Sequence, residues 1–461
     1  MSIRVVALLL LCTTGVSHAT DKFTFGRFGE TVVYRPAVVR HVALFFSDER
    51  GWSAADATLS QALADTGVLV AGIDLHRYAI QLSKPRDKCS YLAGEFEDFS
   101  HEFQKRFSPA RYHMPVLIGT GEGASLVYAV AAQGSSGTFI GTLTLGFQPH
   151  WKPPLKLCQS YELRYTAGKN GLVVLAPSPR LSTPWVAVHA AEDKRWSVGE
   201  LQKFVAAVGT AKAVVLSGGV AAVQTSAQWR KDVVANVNRL AEPDREERVD
   251  ADELRDLPLE EVRVNDAETS RMALFLTGDG GWAEIDKGVS GELARRGIDV
   301  VALSSLQYFW QPRSPDGTAK DVARILRHYL VAWHKTQVLV VGYSFGADVA
   351  PFVVNRLPDD IRSKIASVSL LGLSETADFE VHVTTWLGVD HHGVSTKPEV
   401  RRLKVPTLCI YGDGEQDSAC PQLAGTNVRV VKVGDGHHFG NRYDELAKSI
   451  VSMSTTERSG K

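Results

Sequence analysis

Gln337-Val338-Leu339-Val340-Val341-Gly342-Tyr343-Ser344-Phe345-Gly346-Ala347-Asp348 is the stretch that decides the fold of the second half of this 461-residue chain. Thr336 to Val341 reads as a strand, and its continuous apolar run suits a parallel sheet buried on both faces. Phe345 to Asn355 reads as the helix that follows. Between them, Gly342-x-Ser344-x-Gly346 has the spacing of a sharp strand-to-helix turn. Such a turn lifts a serine hydroxyl above the carboxyl edge of the sheet, and glycines flank it because side chains would not fit. Working outward, short apolar runs predict strands near 272–277, 298–304, 366–371, 405–411 and 428–433. Helical patterns fall near 286–296, 318–334 and 441–453. The alternation predicts an α/β fold with a mostly parallel sheet and helices on both faces.

A serine hydroxyl is a poor nucleophile unless a base takes its proton, and the base must be held by a carboxylate. In this fold class the chain order is serine, then acid, then histidine. The strand Thr407 to Tyr411 runs into Gly412-Asp413-Gly414-Glu415-Gln416-Asp417-Ser418-Ala419-Cys420-Pro421. Such loops often carry the acid four residues before a proline, which selects Asp417, with Asp413 as the alternative. After the next strand comes Gly434-Asp435-Gly436-His437-His438-Phe439. His437, directly after the glycine, is the expected base, with His438 as the alternative. Oxyanion donors are expected at the backbone N–H of Phe345 and, in the loop Thr277 to Trp282, at that of Asp279, with Gly280 next. Tyr308, Phe309 and Trp310 follow a strand on the same edge. With Phe379 and Trp386 they suggest an apolar pocket suited to lipid. Asp390-His391-His392 reads as a solvated loop rather than a metal site, and no metal or cofactor is expected.

The chain also repeats itself. Residues 43–70 and 273–300 align without a gap at an offset of 230, with 11 of 28 positions identical. The segment ending Ile118-Gly119-Thr120-Gly121-Glu122-Gly123 matches the serine turn in the same order, so duplication is the better account. In the first copy Gly121 stands where the serine would be, and Glu49-Arg50 interrupt the glycine loop. Aligning Pro184 with Pro406 puts Arg195 opposite Asp417, although Asp193 fits with a gap. Matching the later glycine turns puts Val220 opposite His437. The first half is therefore expected to be a degenerate copy. Between the copies, the charge-dense run from Arg239 to Glu261 reads as a solvated linker. The expected organisation is a signal segment at 1–19, a degenerate domain at 20–240, a linker at 241–257 and a second domain at 258–461.

A formal net charge of −1 gives no field that would draw nucleic acid or an anionic membrane. Arg4, the apolar run Val5 to Leu11 and the small residues Ser17 and Ala19 read as a secretory signal cleaved after Ala19. Leu11 before Cys12 argues against a lipid anchor. Four cysteines then remain, and an even count in an oxidising compartment favours disulfides. One bridge in each half, Cys89–Cys158 and Cys409–Cys420, is the most economical pairing.

Gly278-Asp279-Gly280-Gly281-Trp282, Tyr308-Phe309-Trp310, Gly342-Tyr343-Ser344-Phe345-Gly346-Ala347-Asp348, Cys409-Ile410-Tyr411-Gly412 and Gly436-His437-His438-Phe439 resemble the bacterial virulence protein family VirJ/AcvB. The resemblance covers roughly 258–455, and the degenerate first half fits the longer family members. It implies two tandem α/β-hydrolase-like domains and a periplasmic serine hydrolase acting on the aminoacyl ester of lysyl-phosphatidylglycerol. Its partners would be an aminoacylated phospholipid at the membrane surface and components or cargo of type IV secretion. Asp348, one turn after Ser344, is then a candidate carboxylate for the lysyl head group, or else it complements the positive end of its helix. The rival expectation is a non-enzymatic periplasmic adaptor or chaperone for secreted cargo.

Overall fold

The computed structural model describes residues 21–83, 88–107, 110–160, 162–242, 254–263, 269–382 and 393–454. The signal segment, most of the linker, Trp386 and the Asp390-His391-His392 run lie outside them. Within the described residues the main-sheet strands of the first half are β1 (Asp21–Phe25), β2 (Gly29–Tyr34), β3 (His41–Phe46), β4 (Val68–Ile73), β5 (Val116–Thr120), β6 (Gly141–Leu145), β7 (Trp185–Ala190) and β8 (Ala211–Leu216). They form one sheet in the order β1-β2-β4-β3-β5-β6-β7-β8. The second half supplies β9 (Leu259–Val262), β10 (Arg271–Leu276), β11 (Asp299–Leu303), β12 (Gln337–Tyr343), β13 (Ile365–Leu371), β14 (Thr407–Asp413) and β15 (Val428–Asp435). Their order is β9-β11-β10-β12-β13-β14-β15.

Leaving out β1, the two sheets have the same order. Each has one antiparallel pairing at the matching place, β2 on β4 and β9 on β11, and is otherwise parallel. The 230-residue offset survives in the register: Ala43 faces Val70, and Ala273 faces Val300. The chain is two tandem α/β-hydrolase-type domains.

The strand ends agree with the sequence reading to within two residues, and the reason is burial. All five residues of β11, and six of the seven in β12, are buried, so these runs have only one place to go. Helices on both faces close separate apolar layers, one of which contains Leu274, Val340, Val349 and Leu370 and the other Phe275, Leu339, Val341 and Leu446. Both expected disulfides are present. Cys89–Cys158 ties down an excursion of the first domain, and Cys409–Cys420 joins β14 to the segment after it.

Candidate active site

Ser344 sits between β12 and the helix Phe345–Asn355 at φ 51° and ψ −120°, a strained conformation for a residue with a side chain. The turn is held by contact. A Cβ on Gly342 would lie 2.4 Å from the Gly346 carbonyl oxygen, and one on Gly346 would lie 2.0 Å from that of Leu276. Any other residue at either place would push the turn off the sheet edge. The Ser344 N–H donates to Leu371 O at 2.8 Å. Among the described residues the Ser344 hydroxyl makes no hydrogen bond, and it is partly exposed.

His437 arrives from the loop after β15 and lies over the end of β13. Gly372, just past β13, makes that possible: its φ is +66°, and a Cβ there would come within 2.6 Å of His437 Cε1. His437 Nδ1 contacts Glu415 Oε1 at 2.5 Å, while Glu415 Oε2 accepts the Gly412 N–H at 2.9 Å. The Glu415 side chain is 8% exposed and that of His437 38%. Burial alone would raise the Glu415 carboxyl. The hydrogen bonds from His437 and Gly412 outweigh it, and the net shift is downward. An ionised carboxylate only accepts, so Nδ1 carries the proton and Nε2 keeps its lone pair.

The acid position is therefore a correction. Asp417 is exposed and makes no hydrogen bond or ion pair among the described residues, and Asp413 is exposed and paired with Lys432 at 2.6 Å. The cause lies in how the loop is anchored. Ala419 donates to Leu373 O at 2.7 Å, and Cys420 is bonded to Cys409, so 418–420 turn inward and 416–417 are left outside. Glu415, two residues past the strand, curls back on Gly412 and reaches His437. Of the two histidines, His437 meets the carboxylate, whereas His438 pairs its Nδ1 with the Tyr343 hydroxyl at 3.1 Å.

The loop Thr277 to Trp282 stands beside the serine, with a Cβ on Gly278 falling 3.6 Å from that of Ser344. Ser305 braces it, donating its N–H to Thr277 Oγ1 at 2.8 Å and its hydroxyl to Thr277 O at 2.6 Å. Phe345 begins its helix with its N–H at the same edge, and Asp279 lies in the braced loop. Burial raises the Asp279 carboxyl, and the nearby N–H groups of its own residue and Gly280, with His437, oppose the rise.

Three residues expected to hold substrate do other work. Tyr308 and Trp310 are each 1% exposed. Tyr308 donates to Asp321 at 2.6 Å, and Trp310 is covered by Tyr112 of the first domain, with ring centroids 5.1 Å apart. Both side chains are buried, Tyr308 within its own domain beneath Arg313 and Trp310 beneath the other domain. Asp348 is buried, and its Oδ1 accepts the Ser374 N–H at 2.7 Å, pinning the chain after β13. Burial raises its carboxyl well above the ordinary value, so it is no open anchor for a head group. Trp386 lies outside the described residues.

In the first domain Gly121 adopts φ 54° and ψ −121°, the conformation of Ser344. Pairing of β7 with β8 and of β14 with β15 sets Trp185 against Ala211 and Thr407 against Val428. Those offsets place Asp193 at the position of Glu415 and Val220 at that of His437. Arg195 is thus not opposite the acid. Asp193 is, and Arg195 neutralises it at 3.0 Å. The first copy has lost the hydroxyl and the imidazole and has kept a carboxylate.

Residues 270–458 match the family model described as bacterial virulence protein (VirJ). Among solved structures, a Thermus thermophilus protein is 16% identical, covering 49% of this chain and 99% of its own at a TM-score of 0.34. The esterase domain of a Rhodothermus marinus protein is 16% identical over 48% and 96%, TM-score 0.31. Est1E of Butyrivibrio proteoclasticus, solved with ferulic acid, is 13% identical over 42% and 93%, TM-score 0.33. No curated protein sequence matches the chain.

Proposed function

From the match of residues 270–458 to the model of the bacterial virulence protein (VirJ) family, we propose that the second domain is a serine esterase. The observation that carries the reading is the Glu415–His437 pair set beside a strained serine at the sheet edge. Ser344 Oγ attacks the ester carbonyl while His437 Nε2 takes its proton. The N–H groups of Phe345 and Asp279 receive the oxyanion. The C–O bond of the ester breaks, and the leaving alcohol departs with the proton from His437. Water, deprotonated by the same nitrogen, then cleaves the acyl-serine ester and releases the acid. Glu415 stays ionised and keeps the imidazole in the productive tautomer.

The substrate we propose is the aminoacyl ester of a phosphatidylglycerol, chiefly the lysyl ester, met at the outer face of the inner membrane of a Gram-negative cell. The family resemblance supports the substrate, and the two disulfides are compatible with the oxidising periplasm. Among the described residues no helix is long and apolar enough to cross a membrane, so the lipid would be taken from its surface.

Ser344→Ala tests the reading. Purified variant should lose hydrolysis of p-nitrophenyl esters with its melting temperature almost unchanged, and cells carrying it should accumulate aminoacylated lipid. More than a tenth of wild-type turnover would remove Ser344 from its role. Unchanged lipid composition with an intact family phenotype would favour the adaptor reading.

A further inference from the structure

The first domain touches the second at two points that back the residues around Ser344. One is its turn at 135–138, closed by the Thr138 N–H on Ser135 O at 3.2 Å. A Cβ on Gly137 would fall 2.6 Å from Trp282 O, so the two backbones meet with no room for a side chain, and Gly137 stands at φ +105°. Beside it Lys287 Nζ donates to Ser136 Oγ at 2.9 Å. Trp282 ends the glycine loop that begins at Thr277 and carries Asp279. Ser305 braces the start of that loop, and Asp286 takes the Ala283 N–H at 3.0 Å just beyond it. In between, a Cβ on Gly280 would meet nothing within 4 Å. Glycines at 278, 280 and 281 leave this backbone wide freedom, and contact from outside narrows it. Gly137 supplies that contact.

The other point is Lys105, on the helix Leu92–Phe107. Its Nζ donates to Trp310 O at 2.6 Å and to Glu380 Oε1 at 3.0 Å, and it stands 4.5 Å from the Trp310 ring centroid. The two acceptors lie on segments that are already zipped together. Phe309 O accepts the Val381 N–H at 2.8 Å, and Phe379 O accepts that of Arg313 at 2.9 Å. The Phe309 ring packs on Phe345 with centroids 5.0 Å apart, and on Phe379 at 5.8 Å. Lys105 thus clamps the wall on which Phe345 leans. Both points belong to one body. The Leu92 N–H, at the head of the Lys105 helix, donates to Gln133 Oε1 at 2.8 Å, and Gln133 ends the helix that leads to the Gly137 turn. Gln133 Nε2 donates in turn to Ser90 O at 3.1 Å and Cys158 O at 3.0 Å, beside the Cys89–Cys158 bridge.

We propose that the degenerate domain holds the oxyanion hole of its neighbour in shape, with Gly137 and Lys105 as positioning residues for the Asp279 and Phe345 donors. The inference rests on the serine-esterase reading and adds what fixes its two N–H groups. Such donors act only within about 3 Å of the forming oxyanion, and they act best when nothing has to rearrange. Loss of either contact therefore weakens the tetrahedral state more than the bound ester.

The test uses full-length protein, p-nitrophenyl butyrate as substrate and butylboronic acid as inhibitor, whose adduct with Ser344 offers a tetrahedral oxygen to the same donors. Lys105→Met removes two hydrogen bonds of a partly exposed side chain and keeps its length. It should lower kcat about tenfold, leave KM within about twofold and raise the boronate Ki about tenfold. Lys105→Arg should recover most of both losses. Gly137→Ala, which forces Trp282 O aside, should act in the same direction; if that variant does not fold, the two Lys105 variants decide. A raised KM with kcat and Ki unchanged would overturn the inference, as would a lowered kcat with boronate affinity intact or wild-type kinetics in Lys105→Met. Wild-type protein that neither cleaves the ester nor binds the boronate would bring down the esterase reading itself, which separates the two failures.

Discussion

Glu415→Gln keeps the shape of the side chain and changes only what its ends donate and accept. Oε2 receives the Gly412 N–H at 2.9 Å, and a backbone N–H can only donate. The carbonyl oxygen of the glutamine must therefore take that place, which turns the NH2 toward His437 Nδ1. Nδ1 then has to accept, its proton moves to Nε2, and the nitrogen proposed to take the serine proton no longer has a lone pair. Triads in which the acid becomes its amide lose on the order of 10⁴ in kcat for this reason. With one residue of this kind in the present site, a fall of about 10³ to 10⁴ is expected with KM little changed. Global stability should move by less than about 2 kcal/mol, since a charge-assisted hydrogen bond is lost while a largely buried charge is removed. Asp417→Asn is the control and should stay within about twofold of wild type. Stopped-flow or steady-state hydrolysis of p-nitrophenyl butyrate reads both variants. A loss in Asp417→Asn equal to that in Glu415→Gln would refute the assignment, as would a Glu415→Gln enzyme at more than a tenth of wild-type rate.

Gly372→Ala puts a methyl 2.6 Å from His437 Cε1 at a backbone φ of +66°. Displacing the imidazole by about 1 Å should cost roughly 10²-fold in kcat, and unaltered kinetics would show that His437 does not depend on this glycine. Asp286 is fully buried, accepts the Ala283 N–H at 3.0 Å, and is pushed up to about 7 by burial. Its native value lies above the unfolded one, so the folded state holds the proton more tightly. Its contribution is whole below about pH 4 and is lost as pH rises toward 7. Asp286→Asn should remove that slope, leaving a melting temperature that gains on wild type between pH 5 and pH 8; parallel curves across that range would contradict the argument.

Much of this was legible in the sequence. Strands buried on both faces have to be continuous apolar runs, so β10 to β15 could be placed within two residues. A Cβ on either glycine of the serine turn would fall 2.0 to 2.4 Å from a backbone carbonyl oxygen, and only glycine meets that demand. Loop side chains are different. A spacing rule selected Asp417, but which of three carboxylates faces a histidine depends on where the loop is anchored, and here Ala419 and Cys420 turn Asp417 outward. Glu415 did leave a signal, since a glutamate two residues past the strand satisfies the serine–acid–histidine order. Tyr308 and Trp310 failed for another reason: an aromatic residue near a sheet edge looks the same whether it will meet a ligand or other protein, and here Tyr308 is taken up by Asp321 and Arg313 of its own domain and Trp310 by Tyr112 and Lys105 of the first.

Gly121 has a consequence for the history open to the first domain. Its backbone is still wound as the serine turn requires, yet a Cβ there would lie 2.7 Å from that of Asp48, whose carboxylate is bonded to Arg50. The room that a side chain once needed has been taken by another residue. Restoring a hydroxyl by one substitution would drive it into that aspartate, and the imidazole would still be missing at Val220. The lost site is thus closed at two places at once, by Asp48 at the turn and by Val220 where an imidazole would stand, and reopening it takes changes at both.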